Sequence, residues 1–237
     1  MIKTTYSSND ASIYEQSSSM NTGIDSMLEL TKLSSSAGIF TSRILIKFPL
    51  EEISASCAAG KIVNPSFFLN LYQTEVSQTP QNYSLIAFPV SQSWVNGVGR
   101  AIEPTQLNKV TRTGVSWAYR NKQNESVQYV ASRDTQWTSR SLDVNSETLY
   151  SNVTGGGTWY KNYYGTQSFN DESADIRMDV TAPIKYLLSQ SRANDGLILM
   201  RSGSQETNTE KYGTLKFFSR ETNTVYQPRL EVVYDDS

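Results

Sequence analysis

The sequence predicts an all-β protein, an antiparallel β-sandwich of jelly-roll type, and three observations lead there. Short alternations of apolar and polar residues recur along the chain, separated by turn-forming clusters every ~8–12 residues. The composition is rich in serine, threonine, asparagine and tyrosine, which suits many short strands joined by polar turns. A helical signal stands out in one place only, near 182–190. The 237 residues contain neither an internal repeat nor a linker, so the whole chain, 1–237, reads as a single sandwich domain.

The elements follow in order. Ile2-Lys3-Thr4-Thr5-Tyr6 alternates and reads as the first strand, with a second from Asp10 to Glu15. Ser17 to Asp25 is a polar loop, and Ser26 to Lys32 carries Met27, Leu28 and Leu30 before the Ser34-to-Gly38 break. Arg43 to Phe48 sets Ile44, Ile46 and Phe48 on one face, so it reads as a half-buried strand with polar positions outward, ended by Pro49. Glu51 to Asn64 is a loop or a short helix. Phe67 to Tyr72 has an aromatic on both faces and belongs at the centre of a sheet. Tyr83 to Val90 is a further apolar run.

Periodicity weakens between about 92 and 157, a polar stretch punctuated by Trp94, Trp117 and Trp137. It reads as a long, elaborated connection between the sandwich halves, with short strands at 114–119 and 127–130, because a structureless loop of that length is unusual. Gly155-Gly156-Gly157 reads as a flexible turn before Thr158-Trp159-Tyr160. The C-terminal third predicts a strand at Asp175 to Val180 and a short helical turn with Thr181 suited to its N-cap and Pro183 in its first turn. Strands at Leu197 to Met200, Leu215 to Ser219 and Arg229 to Tyr234 complete it.

Composition narrows the chemistry. There is no histidine, which removes the usual serine triad and any His-containing zinc site. The net charge of −2 provides no basic field for nucleic acid. The N-terminus lacks an apolar signal core and no run of ~18 apolar residues follows, so the expectation is a soluble chain made in the cytoplasm, with no membrane partner. The single cysteine, Cys57, forms no disulfide framework and reads as a small hydrophobe, since no histidine activates it. Asn-x-Ser/Thr matches at Asn82, Asn124 and Asn152 read as chance without secretion.

Candidate sites are few. Asp171 with Glu172, or Asp175 with Asp179, would be the carboxylate pairs for glycosidase chemistry, but polar turns collect acids for solvation alone. Gly97-Val98-Gly99 lacks the context of a nucleotide loop. No cofactor is expected. Calcium is the most plausible ion, with Asn9-Asp10 or Asn194-Asp195 contributing oxygens, against the simpler role of such residues as turn caps. Trp159, Tyr160, Tyr163 and Tyr164 crowd four aromatics into six positions, a composition suited to core packing, to a protein interface or to a glycan contact.

Several blocks carry a family resemblance. Asp179-Val180-Thr181 before the helical turn, Asn194-Asp195-Gly196-Leu197, Phe217-x-Ser219-Arg220-Glu221 and Pro228-Arg229-Leu230-x-Val232-x-Tyr234 resemble the end of a DNRLRE-type β-sandwich module. Asp10 to Tyr14, Asn21-Thr22-Gly23 and the arginine-led Arg43 to Phe48 resemble its opening, and Pro65 to Tyr72 its following strand. With Phe217 to Thr222 and Trp94 to Arg100, the variant is similar to tailed-bacteriophage virion proteins carrying that module. The resemblance implies a non-enzymatic virion structural protein, a head-decoration, neck, collar or fibre-attachment subunit, assembled in the host cytoplasm. Its partners would be copies of itself and other virion proteins. The alternative is a carbohydrate-binding module for cell-surface glycans. A glycan-degrading tailspike would need a long repetitive β-helix, which is absent.

Overall fold

The computed structural model describes residues 1–36, 38–77, 79–101, 113–122, 135–137, 143–144, 147–151, 155–170, 175–189 and 193–235. The strand expected at 127–130 and the Asp171–Glu172 pair lie outside them. The first half of the chain holds β1 (Ile2–Tyr6), β2 (Asn9–Tyr14), β3 (Met27–Ser35), β4 (Gly38–Lys47), α1 (Glu51–Ala58), β5 (Val63–Leu71), β6 (Gln73–Ser77) and β7 (Asn82–Pro89). The central segment contributes β8 (Tyr119–Asn121), β9 (Thr135–Gln136), β10 (Asp143–Val144), β11 (Glu147–Ser151) and β12 (Thr158–Tyr160). There follow β13 (Gly165–Asn170), β14 (Ile176–Asp179), α2 (Thr181–Ser189), β15 (Leu197–Arg201), α3 (Ser204–Thr207), β16 (Gly213–Phe218) and β17 (Arg229–Asp235).

The fold is all-β, antiparallel and sandwich-like. One sheet has the order β1-β17-β5-β14; the larger runs β13-β7-β15-β4-β3-β16-β6, with β2 beside β4, and curls into a half-barrel. Between them lies the main core. Leu69, Met178, Leu230 and Val232 come from the four-stranded sheet, and Ile44, Ile46, Leu85, Leu199, Leu215 and Phe217 from the larger one. Ile53 of α1 and Ile184 and Leu187 of α2 pack into the same cluster. Each such side chain contributes about 1.5–3 kcal/mol when buried.

Three expectations are corrected here. Arg43 to Phe48 is not half-buried: residues 41–46 of β4 are buried throughout. A second apolar cluster covers the other face, in which Ala11, Ile13, Leu45, Ile198 and Met200 meet Val115, Trp117, Trp137 and Trp159. The central segment supplies those tryptophans, so it roofs the larger sheet rather than merely connecting halves. Secondly, the helical content exceeds one turn: α2 spans Thr181–Ser189 and α3 is a further helix, while α1 realises the short helix that Glu51 to Asn64 allowed. Thirdly, Thr181 does not cap α2 with its side chain. Its Oγ1 accepts from the Phe67 N–H at 2.9 Å, tying the helix to β5, while Asp179 Oδ1 accepts from the Thr181 N–H at 2.8 Å.

A buried asparagine fastens the central segment to the opening loop. Asn21 Nδ2 donates to the carbonyls of Asn96 and Val115, each at 2.7 Å, and its Oδ1 accepts from Gly99 N–H at 2.7 Å and Gly23 N–H at 3.2 Å. All four hydrogen-bonding positions of the amide are filled. Gly97 has φ +80° and lies against Asn21, so a Cβ there would meet the Asn21 carboxamide carbon at 2.6 Å.

Candidate functional site

A cleft of about 550 Å³ opens beside the second cluster. Ile86 and Phe88 of β7, Met200 of β15 and the tryptophans Trp117 and Trp159 form its apolar walls, and Arg201 of β15 adds a charged group. Glu15, Thr41, Arg43, Lys161 and Glu206 supply its polar groups. Its size lies within the ~300–1,000 Å³ usual for ligand sites.

Arg43 is the residue on which the cleft is built. It projects from β4 and is 4% exposed. Its guanidinium carbon lies 4.6 Å from the centroid of the Trp117 ring and 5.1 Å from that of Trp159. Nε donates to Glu206 Oε1 at 2.8 Å and Nη1 to the Gly156 carbonyl at 2.5 Å. One side chain thus joins a central strand, two tryptophans, the triple-glycine turn and α3. A planar cation that stacks and donates in a fixed fork suits these roles; an ammonium would not. The triple glycine is correspondingly not a loose turn. All three residues are buried with positive φ, of +99°, +83° and +93°, and a Cβ on Gly156 would collide with Arg43 Nη1 and lie 2.8 Å from the Trp117 ring.

Two further cations lie nearby. Arg201 is 1% exposed, donates from Nη2 to the Tyr212 carbonyl at 2.6 Å, and lies 4.9 Å from the Tyr83 ring centroid. Burial lowers its pKa to about 10, so it remains charged at neutral pH. Lys32 donates from Nζ to the Gln205 carbonyl at 2.5 Å and to Asn208 Oδ1 at 3.0 Å, and burial lowers its pKa also. Both cations pin the segment around α3 to the larger sheet.

The four aromatics at 159–164 separate into two groups. Trp159 is buried against Arg43 and stacks on Phe88 at 5.9 Å; Phe88 in turn meets Tyr164 at 6.0 Å. Tyr164 is 52% exposed, so this row runs from the cleft interior to solvent. Tyr160 and Tyr163 instead pack on Tyr186 of α2, at 5.0 Å and 4.0 Å. The cluster is therefore mostly internal packing, with Tyr164 its exposed end.

The remaining candidates sit in structural roles. Asp10 is buried and accepts from Arg220 N–H at 2.8 Å and from the Ser7 hydroxyl at 3.1 Å; burial raises its pKa to about 6. Asn9 lies in β2 opposite Lys47. Asn194 donates to the Phe48 carbonyl at 2.6 Å, and the Asp195 carbonyl accepts from Trp94 Nε1 at 2.8 Å. Asp175 Oδ1 accepts from Gln73 N–H at 2.7 Å. Among the described residues, no three of histidine, cysteine, aspartate and glutamate converge on a point. Cys57 is half-buried, and burial raises its pKa, which keeps the thiol protonated.

The sequence did not mark Arg43, Trp117 or Glu206 as site residues. Arg43 headed a family-like block, and that was its only signal. Compared with known proteins, the chain matches no family model, and no curated protein is significantly similar to it.

Proposed function

We propose that this chain is a non-enzymatic structural subunit of a bacteriophage virion, a β-sandwich that decorates the head, belongs to the neck or collar, or anchors a fibre. The observation that carries the reading is the Arg43 junction. Its buried guanidinium locks the roof of the sandwich to the larger sheet without a disulfide, through Trp117, Trp159, Gly156 and Glu206. Buried charge used to tie loops together serves a rigid scaffold assembled in a reducing compartment. The DNRLRE-type resemblance supplies the virion setting. Antibody-gold labelling of purified particles tests it by electron microscopy. Gold on heads, necks or fibres is the expected result; bare particles with the protein free in the lysate would overturn it.

A second reading has its own observation. Trp159 and Phe88 line the cleft beside Arg43, Glu15, Thr41 and Lys161, and Tyr164 packs on Phe88 at its exposed side, so flat apolar rings and polar groups, the combination that sugars require, lie together. Here the chain is a carbohydrate-binding module. A soluble-glycan screen with the parent and Tyr164→Ala tests it, since Tyr164 is exposed and its loss leaves the core intact. Binding that Tyr164→Ala leaves unchanged would remove this cleft from consideration.

A further inference from the structure

The hydrogen bonds of β1 fix which of its backbone groups are in use. The Met1 nitrogen donates to the Tyr234 carbonyl at 2.6 Å, Tyr234 N–H donates to the Met1 carbonyl at 3.0 Å, and Ser7 N–H donates to the Pro228 carbonyl at 3.0 Å. In an antiparallel ladder such pairs recur at every second residue, so Met1, Lys3, Thr5 and Ser7 face β17. The N–H and C=O groups of Ile2, Thr4 and Tyr6 therefore point outward along the free edge of the four-stranded sheet. Among the described residues, no strand pairs with that edge.

The side chains leave the edge open as well. Ile2, Thr4 and Tyr6 are exposed, Ile2 at 68% and Tyr6 at 48%. Edges of this kind are ordinarily blunted by a proline, a bulge or an outward charge. β1 has no proline, its register with β17 is regular, and its one charge, Lys3, turns to Glu52 of α1 at 2.5 Å.

The pattern is self-complementary. Two copies of β1 laid antiparallel about Thr4 set Ile2 opposite Tyr6 and Thr4 opposite Thr4. Every outward N–H and C=O then falls at a hydrogen-bonded position. An aliphatic–aromatic pair closes each end, a favourable cross-strand combination, and Lys3 meets Thr5. Of the two adjacent registers, one centred on Lys3 opposes two like charges, and one centred on Thr5 sets Ile2 opposite Ser8, outside the strand.

We propose that β1 is a self-association edge: two copies of the chain pair β1 to β1 about a two-fold axis at Thr4, joining their four-stranded sheets into one continuous sheet. This deepens the structural-subunit reading, resting on its self-association and not on its virion setting. An edge of five residues covers less than the ~1,200 Å² of a standard stable interface, so the dimer forms in a concentration-dependent manner.

Two experiments on the full chain test it. Sedimentation velocity over a concentration series is expected to show dimer growing at the expense of monomer, and Thr4→Pro is expected to weaken this by about tenfold or more. That proline removes an outward N–H and no bond to β17. In a Cys57→Ala background, Thr4→Cys is expected to oxidise rapidly to a disulfide-linked dimer, because hydrogen-bonded partners lie ~5.5 Å apart at Cα. Lys3→Cys, opposite Thr5 of the other copy, is expected to cross-link far more slowly. A monomer at every concentration, equal cross-linking of the two cysteine variants, or a dimer indifferent to Thr4→Pro would overturn the proposal. If Thr4→Pro fails to fold, the cysteine pair still decides. Gold labelling of particles succeeds or fails independently of these outcomes, so the two readings are separable.

Discussion

Arg43 lies over the Trp117 ring, with the guanidinium carbon 4.6 Å from the ring centroid, although one residue lies on a central strand and the other in the long segment that roofs it. The contact converts what the sequence offers as an outward, solvated arginine into the fastening between two layers of the molecule. Replacing Arg43 should therefore act far beyond its own strand. Arg43→Met leaves Glu206 without its ion-pair partner and is expected to cost about 3–5 kcal/mol; Arg43→Lys, which keeps the charge and loses the stack, about 1–3 kcal/mol. Urea denaturation measures both, and a loss below ~1 kcal/mol for Arg43→Met would contradict this account.

Gly156→Ala should be much more damaging than Gly60→Ala. Both glycines have positive φ, +83° and +70°, but Gly60 has open space around its missing Cβ while Gly156 faces Arg43 and Trp117. The expected losses are about 1 kcal/mol at Gly60 and ~2–4 kcal/mol at Gly156. Equal losses in thermal or chemical denaturation would show that backbone conformation alone governs both sites.

Asn21→Ala removes the partner of two carbonyls and two N–H groups at once. Several buried polar groups lose their bonds together, at roughly 1–3 kcal/mol for each left unsatisfied. Limited proteolysis under native conditions should cut residues 95–101 in the variant well before the parent. A variant as resistant as the parent would mean that other contacts hold this segment.

Asp10 sets a pH dependence whose sign is unusual for a carboxylate. Burial raises its pKa from 3.8 to about 6, against the opposing bonds from Arg220 N–H and the Ser7 hydroxyl. A folded-state value above the unfolded one means that the stabilisation is complete below about pH 4 and is lost as pH rises through 6. The fold should gain stability on acidification from pH 7 to pH 5, by at most roughly 1.3 kcal/mol from this group. Asp10→Asn, which stays neutral, should flatten that gain in a melting-temperature series. Asp25, also raised to about 6 chiefly by burial, leaves part of the gain in the variant. Parallel curves for parent and variant would sink the assignment to Asp10.

Alternation at Ile2–Tyr6 and apolar runs bounded by turns at 83–90, 215–219 and 229–234 located β1, β7, β16 and β17 to within a residue or two. Alternation misjudged β4 for a physical reason. A period of two distinguishes Ile44 and Ile46 from Arg43 and Leu45, but it cannot tell an arginine in water from one stacked between tryptophans. The same blindness hid the cleft. Trp117, Arg43 and Glu206 come from three distant places in the chain, and only the roofing of the larger sheet brings them together. Gly155 to Gly157 looked flexible since glycine signals freedom, whereas here it signals close packing under φ values that other residues resist.

The place of β17 between β1 and β5 has a consequence for how the molecule is made. Its register sets Val233 against Ile2 and Val232 against Phe67, and the closing bond joins residues 233 positions apart. Neither β1 nor β5 can complete the four-stranded sheet until Arg229–Asp235 has been synthesised, roughly 10–45 s after β1 at ordinary elongation rates. Throughout that interval the inner edges of β1 and β5 stand bare, open to strands of neighbouring nascent chains on the same message. Yield during expression is thus expected to depend on elongation speed and chaperone supply more steeply than the stability of the finished sandwich would imply.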